Sequence, residues 1–214
     1  MSRSFKLSVL AAAVLAAAPA AQAFEAGDFI VRAGAIHVAP DDSSDQVLLS
    51  GGAATGSEVA VDTNTQLGIR GTYMFTPNVG LGVLAATPFK HNISGKGGAL
   101  DGADIGETKH LPPTITLQYY PMNSTENVQP YVGIGVNYTT FFEEKSDLGD
   151  LELDDSVGVA AEVGVDYMLN EQFGLNAAIW WADIDTEAEI KGVTEKLDVE
   201  IDPMVYMVGF TYKF

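Results

Sequence analysis

Beyond residue 23, the apolar side chains of this 214-residue chain recur at every second position, and no stretch shows convincing helical spacing. A period of two is the period of a β-strand with one apolar face, whereas a helix needs 3.6. Eight such stretches follow one another: Asp28 to Val38, Asn64 to Phe75, Val79 to Lys90, Leu111 to Tyr120, Gln129 to Phe142, Asp155 to Leu169, Phe173 to Thr186 and Leu197 to Phe214. The last ends on VYMVGFTYKF, with Tyr206, Val208, Phe210, Tyr212 and Phe214 on one face and no turn residue after them. A strand that stops on an apolar face suits a barrel in lipid whose last strand pairs with its first. Taken alone, the segment also fits the buried last strand of a soluble protein.

The connections decide between the two. Those after the second, fourth and sixth stretches are short, as at Thr76-Pro77-Asn78 and Asn170-Glu171-Gln172. Those after the first, third, fifth and seventh are long, acidic and Gly-rich: residues 39–63, 91–110, 143–154 and 187–196. Short turns at one end, long loops at the other and an even strand count describe a bacterial outer-membrane barrel. The fold class expected is therefore all-β, an eight-stranded antiparallel transmembrane β-barrel.

Charge respects the two faces. In the sixth stretch Val157, Val159, Ala161, Val163, Val165 and Tyr167 oppose Ser156, Gly158, Ala160, Glu162, Gly164 and Asp166. The second stretch sets Leu67, Ile69, Gly71, Tyr73 and Phe75 against Gln66, Gly68, Arg70, Thr72 and Met74. A lysine or arginine on the lipid face at mid-bilayer costs roughly 2–4 kcal/mol, so this segregation is what a membrane demands. Tyr73, Phe75, Tyr119, Tyr167, Tyr212 and Phe214 gather near the short-turn end, where an interfacial girdle belongs.

The beginning of the chain gives the compartment. Arg3 and Lys6, the apolar run Leu7 to Ala18 and the small-x-small site Ala21-Gln22-Ala23 make residues 1–23 a secretory signal, with residues 24–214 as the barrel. The run is too short to span a bilayer, and no run of about 20 apolar residues follows it. The expected location is the outer membrane of a Gram-negative bacterium, among lipid and lipopolysaccharide. There is no cysteine, hence no disulfide or thiol chemistry. With 29 acidic residues against 11 basic ones, the chain has no basic face for nucleic acid.

Several stretches together resemble the OmpW family of small outer-membrane barrels: FIVRAG at 29–34, NTQLG at 64–68, LAATPF at 84–89, HLPPT at 110–114, YVGIGVNYTTFF at 131–142, VGVDY at 163–167, DIDT at 183–186 and DP…YKF at 202–214. They run from the first strand to the last. The resemblance implies an eight-stranded barrel with a narrow hydrophobic passage, associated with uptake of small hydrophobic molecules. The long connections match the family poorly in residue detail, so no specificity borne by them is implied. The terminal aromatic strand also resembles the signature read by the outer-membrane assembly machinery, with Phe214 as its last residue.

An eight-stranded barrel is filled by its own side chains or holds one small ligand, which excludes a wide aqueous pore. Counted from the short turns, Arg32, Arg70, Gln118, Asp166, Asn176 and Lys213 point inward near the bottom. Charges buried there must pair, so they are expected to form a periplasmic polar plug. Leu84, Ala86 and Trp180 point inward above it. They line a hydrophobic passage, as the resemblance implies for Leu84 and Trp180, or they are ordinary barrel filling. Pro88 and the pair Pro112-Pro113 stand at nearly one height on neighbouring strands. Proline has no N–H and interrupts a ladder. These prolines either open a lateral gap into the lipid or simply shape the second loop.

No enzyme is expected. His37, His91 and His110 are the only histidines. His91 and His110 bracket the second loop without a clear third ligand, so no metal site or cofactor is expected. The loop carboxylates match no calcium-loop spacing and read as a solvated rim. Two functions from different classes stand: a conduit for small hydrophobic solutes, and a plugged barrel whose loops contact lipopolysaccharide or phage.

Overall fold

The computed structural model describes residues 24–214, and the expected secretory signal, residues 1–23, lies outside them. Among the described residues there is no α-helix, and no helix long and apolar enough to cross a membrane. Eight antiparallel strands form the barrel: β1 Phe29–Ala39, β2 Asn64–Thr76, β3 Val79–Ala86, β4 Thr114–Tyr119, β5 Val128–Lys145, β6 Ser156–Met168, β7 Phe173–Ala182 and β8 Met204–Lys213. Each pairs with the next, and β8 returns to β1 in register from Ile30↔Lys213 to Ala39↔Met204. Closure leaves no unpaired edge to face lipid. The seam depends on a glycine pair, Gly34↔Gly209. A Cβ on Gly34 would lie 2.1 Å from the Val208 carbonyl oxygen.

The expected faces are the observed ones. Leu67, Ile134 and Phe210 on the outer wall are 71, 74 and 72 % exposed, and valines, leucines and isoleucines fill the belt between them. Contiguous apolar surface on this scale requires an apolar solvent. Around the short turns lies the aromatic girdle, where Tyr212 contacts both Phe214 (ring centroids 4.6 Å apart) and Phe173 (4.8 Å). The turns use local side-chain chemistry. Asn170 Oδ1 accepts hydrogen bonds from the backbone N–H groups of Gln172 (3.0 Å) and Phe173 (2.8 Å), fixing the β6–β7 reversal.

The upper half departs from expectation. The long connections are largely strand rather than loop. Phe89–Lys96 pairs with Asp104–Leu111, flanked by Glu58–Val61 on one side and the upper part of β5 on the other. A second sheet joins Leu151–Leu153, Asp185–Ile190, Leu197–Glu200 and Ser43–Ser44. Between them Val47, Val59, Ile93, Ile105, Leu151 and Val199 make a core separate from the barrel's own. Four strands expected to be continuous are broken on the way up. The third breaks at Thr87-Pro88, the fourth at Pro112-Pro113, the seventh at Asp183-Ile184 and the eighth at Ile201-Asp202-Pro203. At three of the breaks a proline removes the N–H that a ladder needs. At the last, Asp202 also takes the left-handed φ of 34°.

Candidate functional site: a polar floor beneath two apolar chambers

The lower lumen is closed by a charged network. Arg32 and Arg70 sit opposite each other on β1 and β2, so two like charges share one level. β6 answers both. Asp166 takes Arg32 at 2.6 Å and Glu162, on the same face of the strand, takes Arg70 at 2.6 Å; all four side chains are at most 1 % exposed. The carboxylates take further hydroxyl and amide donors, as burial of charge requires, although Glu162 Oε2, Arg70 Nε and Asn176 Oδ1 are left without a hydrogen bond of good geometry. Thr211 Oγ1 (2.6 Å) and Asn176 Nδ2 (3.0 Å) donate to Asp166, and Thr116 Oγ1 (2.6 Å) and Gln118 Nε2 (2.9 Å) donate to Glu162. The Tyr131 ring lies between the two guanidinium carbons, 5.2 Å from that of Arg32 and 4.9 Å from that of Arg70. Below it Tyr120, Phe24, Met74 and Met168 are fully buried, with Phe24 edge-on to Tyr120 at 5.4 Å.

Inward glycines make room for this floor. A Cβ at Gly82 would meet the Gln118 amide nitrogen at 2.1 Å, one at Gly133 the Glu162 carboxylate at 2.4 Å, and one at Gly164 the Tyr131 ring at 2.3 Å. At these three positions a missing side chain makes room for a long one on the neighbouring strand.

Of the six residues expected in the plug, five join this network. Lys213 does not: it stands at the rim, 3.7 Å from Asp28. Glu162, Tyr120, Tyr131, Thr72, Thr116, Thr211 and Phe24 were not among the expected plug residues. Glu162 already stood on the polar face of the sixth stretch; demanding a carboxylate for every buried arginine would have found it.

Above the floor the lumen turns apolar. Leu84, Ala86 and Trp180 line a small cavity of about 20 Å³ with Ile36, Val38 and Val205. At the top of that cavity stand Phe89 and His110. Beyond them a larger chamber of about 100 Å³ lies inside the upper core, walled by residues such as Val47, Val59, Ile93, Ile105 and Leu151. His110 lines both chambers. Its ring stacks on His91 with centroids 4.7 Å apart, packs against Phe89 at 5.4 Å and meets Phe141 edge-on at 5.9 Å. Burial holds the His110 pKa down to about 3, with His91 beside it adding to the shift, and burial lowers that of His91 as well. The pair is therefore neutral. His91 Nδ1 bonds the Asp62 carbonyl oxygen, while Nε2 of both rings and Trp180 Nε1 are buried without a partner.

The wall beside the small chamber is incomplete. β3 and β4 pair from Val79↔Tyr119 up to Leu84↔Thr114, and the next rung above is Phe89↔His110. Between them Ala85 to Pro88 and Leu111 to Pro113 share no ladder, which is where the three prolines stand. Ala85 is exposed on the lipid side and also lines the small chamber, as does Pro112. At the upper rim the carboxylates of Asp183, Asp185 and Asp202 come within 4.8 Å of one another. Partial burial, then the neighbouring charges of Asp183 and Asp202, push the Asp185 pKa up.

A closed eight-stranded barrel with an apolar outer belt, an aromatic girdle and a charged lower lumen defines a bacterial outer-membrane protein. The OmpW family profile matches residues 25–214, and the chain belongs to that family. It is 52 % identical to outer membrane protein W of Vibrio cholerae serotype O1 over 98 % of this chain and all of that one. The crystal structure of OprG from Pseudomonas aeruginosa superposes with a TM-score of 0.84 at 46 % identity, covering 91 % of this chain and 99 % of that one. A more distant relative, 26 % identical over 89 % of this chain and 90 % of its own length, is the dibenzothiophene metabolism operon protein PahQ of Pseudomonas aeruginosa.

Proposed function

We propose that this barrel admits small hydrophobic molecules from outside the cell and releases them sideways into the membrane. One observation carries the reading: two apolar chambers adjoin at His110, and the lower one touches a break in the wall above a floor of buried ion pairs. A hydrophobic solute leaves water on entering the upper chamber, gaining roughly 25 cal/mol per Å² of apolar surface buried. It cannot cross the floor without separating ions from their partners, which costs several kcal/mol. The remaining way out is between Ala85–Pro88 and Leu111–Pro113. The small chamber is too tight for an alkyl chain at rest, so transit needs Leu84 or Trp180 to change rotamer. The relative named for dibenzothiophene metabolism, which concerns an apolar ring system, supports the solute class. Contacts with lipopolysaccharide and delivery by the assembly machinery through Phe214 belong to the same proposal.

The test follows entry of a hydrophobic tracer into liposomes carrying the refolded protein. Wild type is expected to speed entry over empty liposomes. Val at positions 88 and 112, which restores the ladder donors, is expected to slow it. Equal rates for wild type and empty liposomes would contradict the conduit. Strong hydrogen-exchange protection of Ala86 in wild type would contradict the lateral exit.

A further inference from the structure

Three polar atoms along the apolar path have no partner in the protein: His91 Nε2, His110 Nε2 and Trp180 Nε1. Their residues are 1, 3 and 2 % exposed, so water does not serve them from outside. Buried polar groups in native structures are nearly always satisfied, and an exception calls for a missing partner. The lining of both chambers is mainly aliphatic and aromatic, with Glu189 the only acidic residue among it, so an apolar ligand with one polar group suits it better than an ion.

The chemistry of each atom is fixed by its neighbours. The Asp62 carbonyl oxygen facing His91 Nδ1 can only accept, so Nδ1 carries the proton and Nε2 offers a lone pair. Trp180 Nε1 is the opposite, a donor only. The upper chamber therefore presents an acceptor and the lower one a donor, with His110 lining both. A hydroxyl group is both donor and acceptor. In the upper chamber it can donate to His91 Nε2 with its hydrocarbon body among Val59 and Ile93, and in the lower one it can accept from Trp180 Nε1 with that body among Leu84 and Ile36. An alkane of the same length would leave every one of these atoms unpaired.

Building on the conduit reading above, we propose that the path selects apolar molecules bearing a single hydroxyl, such as medium-chain alcohols and phenols, over plain hydrocarbons. His91 Nε2 is the upper hydrogen-bonding station and Trp180 Nε1 the lower. The two stations lie on either side of the Phe89–His110 partition, so a solute passing from one chamber to the other exchanges one hydrogen bond for another.

The experiment uses refolded full-length protein in nanodiscs with ¹⁵N-labelled histidine, titrated with 1-octanol and separately with octane. The His91 Nε2 resonance is expected to shift upfield with octanol only. In liposomes, wild type is expected to favour octanol entry over octane by about tenfold. His91→Phe, which keeps the ring stack, and Trp180→Phe should each reduce the ratio of octanol to octane entry. A gel heat-shift confirms that each variant has folded. No octanol-specific shift at His91 overturns the proposal, even where both solutes enter. An octanol-specific shift with no entry of either solute upholds the binding site and overturns the conduit instead.

Discussion

The lower and upper lumens of this barrel are built by the same eight strands and solve opposite problems. In the lower one, two arginines and two carboxylates are buried as two ion pairs and tied to surrounding hydroxyl and amide donors. In the upper one, the side chains are apolar and the few polar atoms are left open. Such a network is rigid because any shift breaks charged hydrogen bonds. An apolar chamber with a broken ladder beside it costs little to deform. The two halves thus differ in whether buried charges are present and paired rather than in barrel width.

That contrast can be broken most severely in the floor. Arg32→Met leaves Asp166 charged and buried, and is expected to destabilise the barrel by about 3–5 kcal/mol. Urea unfolding followed by gel heat-shift measures this. The double variant Arg32→Met/Asp166→Leu should recover part of the loss but not all, because Thr72, Thr211 and Asn176 also lose their partner. Recovery to wild-type stability would mean that those hydroxyl and amide bonds contribute nothing.

A pH titration probes the upper assembly. His110 binds a proton in the folded protein only at a pH near 3, whereas an unfolded histidine binds one near 6.5. Its folded pKa is the lower of the two, so its contribution is complete above about pH 6.5 and is lost as the pH falls toward 3. At pH 4.5 the loss is on the order of 2–3 kcal/mol. Hydrogen-exchange protection across Asp104–Leu111 should fall from pH 7 to 4.5 in wild type and far less in His110→Phe. Equal falls in both would place the sensitivity elsewhere.

A smaller effect sharpens the account of how the floor is packed. Gly164→Ala puts a methyl against the Tyr131 ring and should cost about 1–3 kcal/mol by overpacking. Arg32 and Arg70 would lose the ring between them, so unfolding midpoint and Tyr131 chemical shift should move together. A shift in neither would mean that the ring has room to move.

The barrel was legible in the sequence because lipid enforces alternation: every second residue of β2, β5 and β6 is apolar, and the charges never cross to that face. The floor was half legible. Position in the strand identified Arg32, Arg70, Gln118, Asp166 and Asn176 as inward, but which charge meets which is a matter of strand stagger around the barrel, and stagger leaves no mark in one strand's pattern. Lys213, close to the end of β8, stands 3.7 Å from Asp28 with its side chain 14 % exposed. The upper chamber was missed because acidic residues and glycines mask a second period of two. Val59 and Val61, and Leu151 and Leu153, alternate over stretches too short to stand out, while Leu197, Val199 and Ile201 alternate in phase with a period of two and read as the start of the eighth barrel strand.

The most direct measurement compares two tracers of equal size, one hydrophobic and one hydrophilic, entering liposomes that carry wild type or Leu84→Arg. The account predicts that wild type speeds only the hydrophobic tracer, and that an arginine at position 84 abolishes this while neither protein admits the hydrophilic one. Entry of the hydrophilic tracer through wild type at a rate matching the hydrophobic one would contradict it, since the floor would then be open and the chambers above it would not be the path.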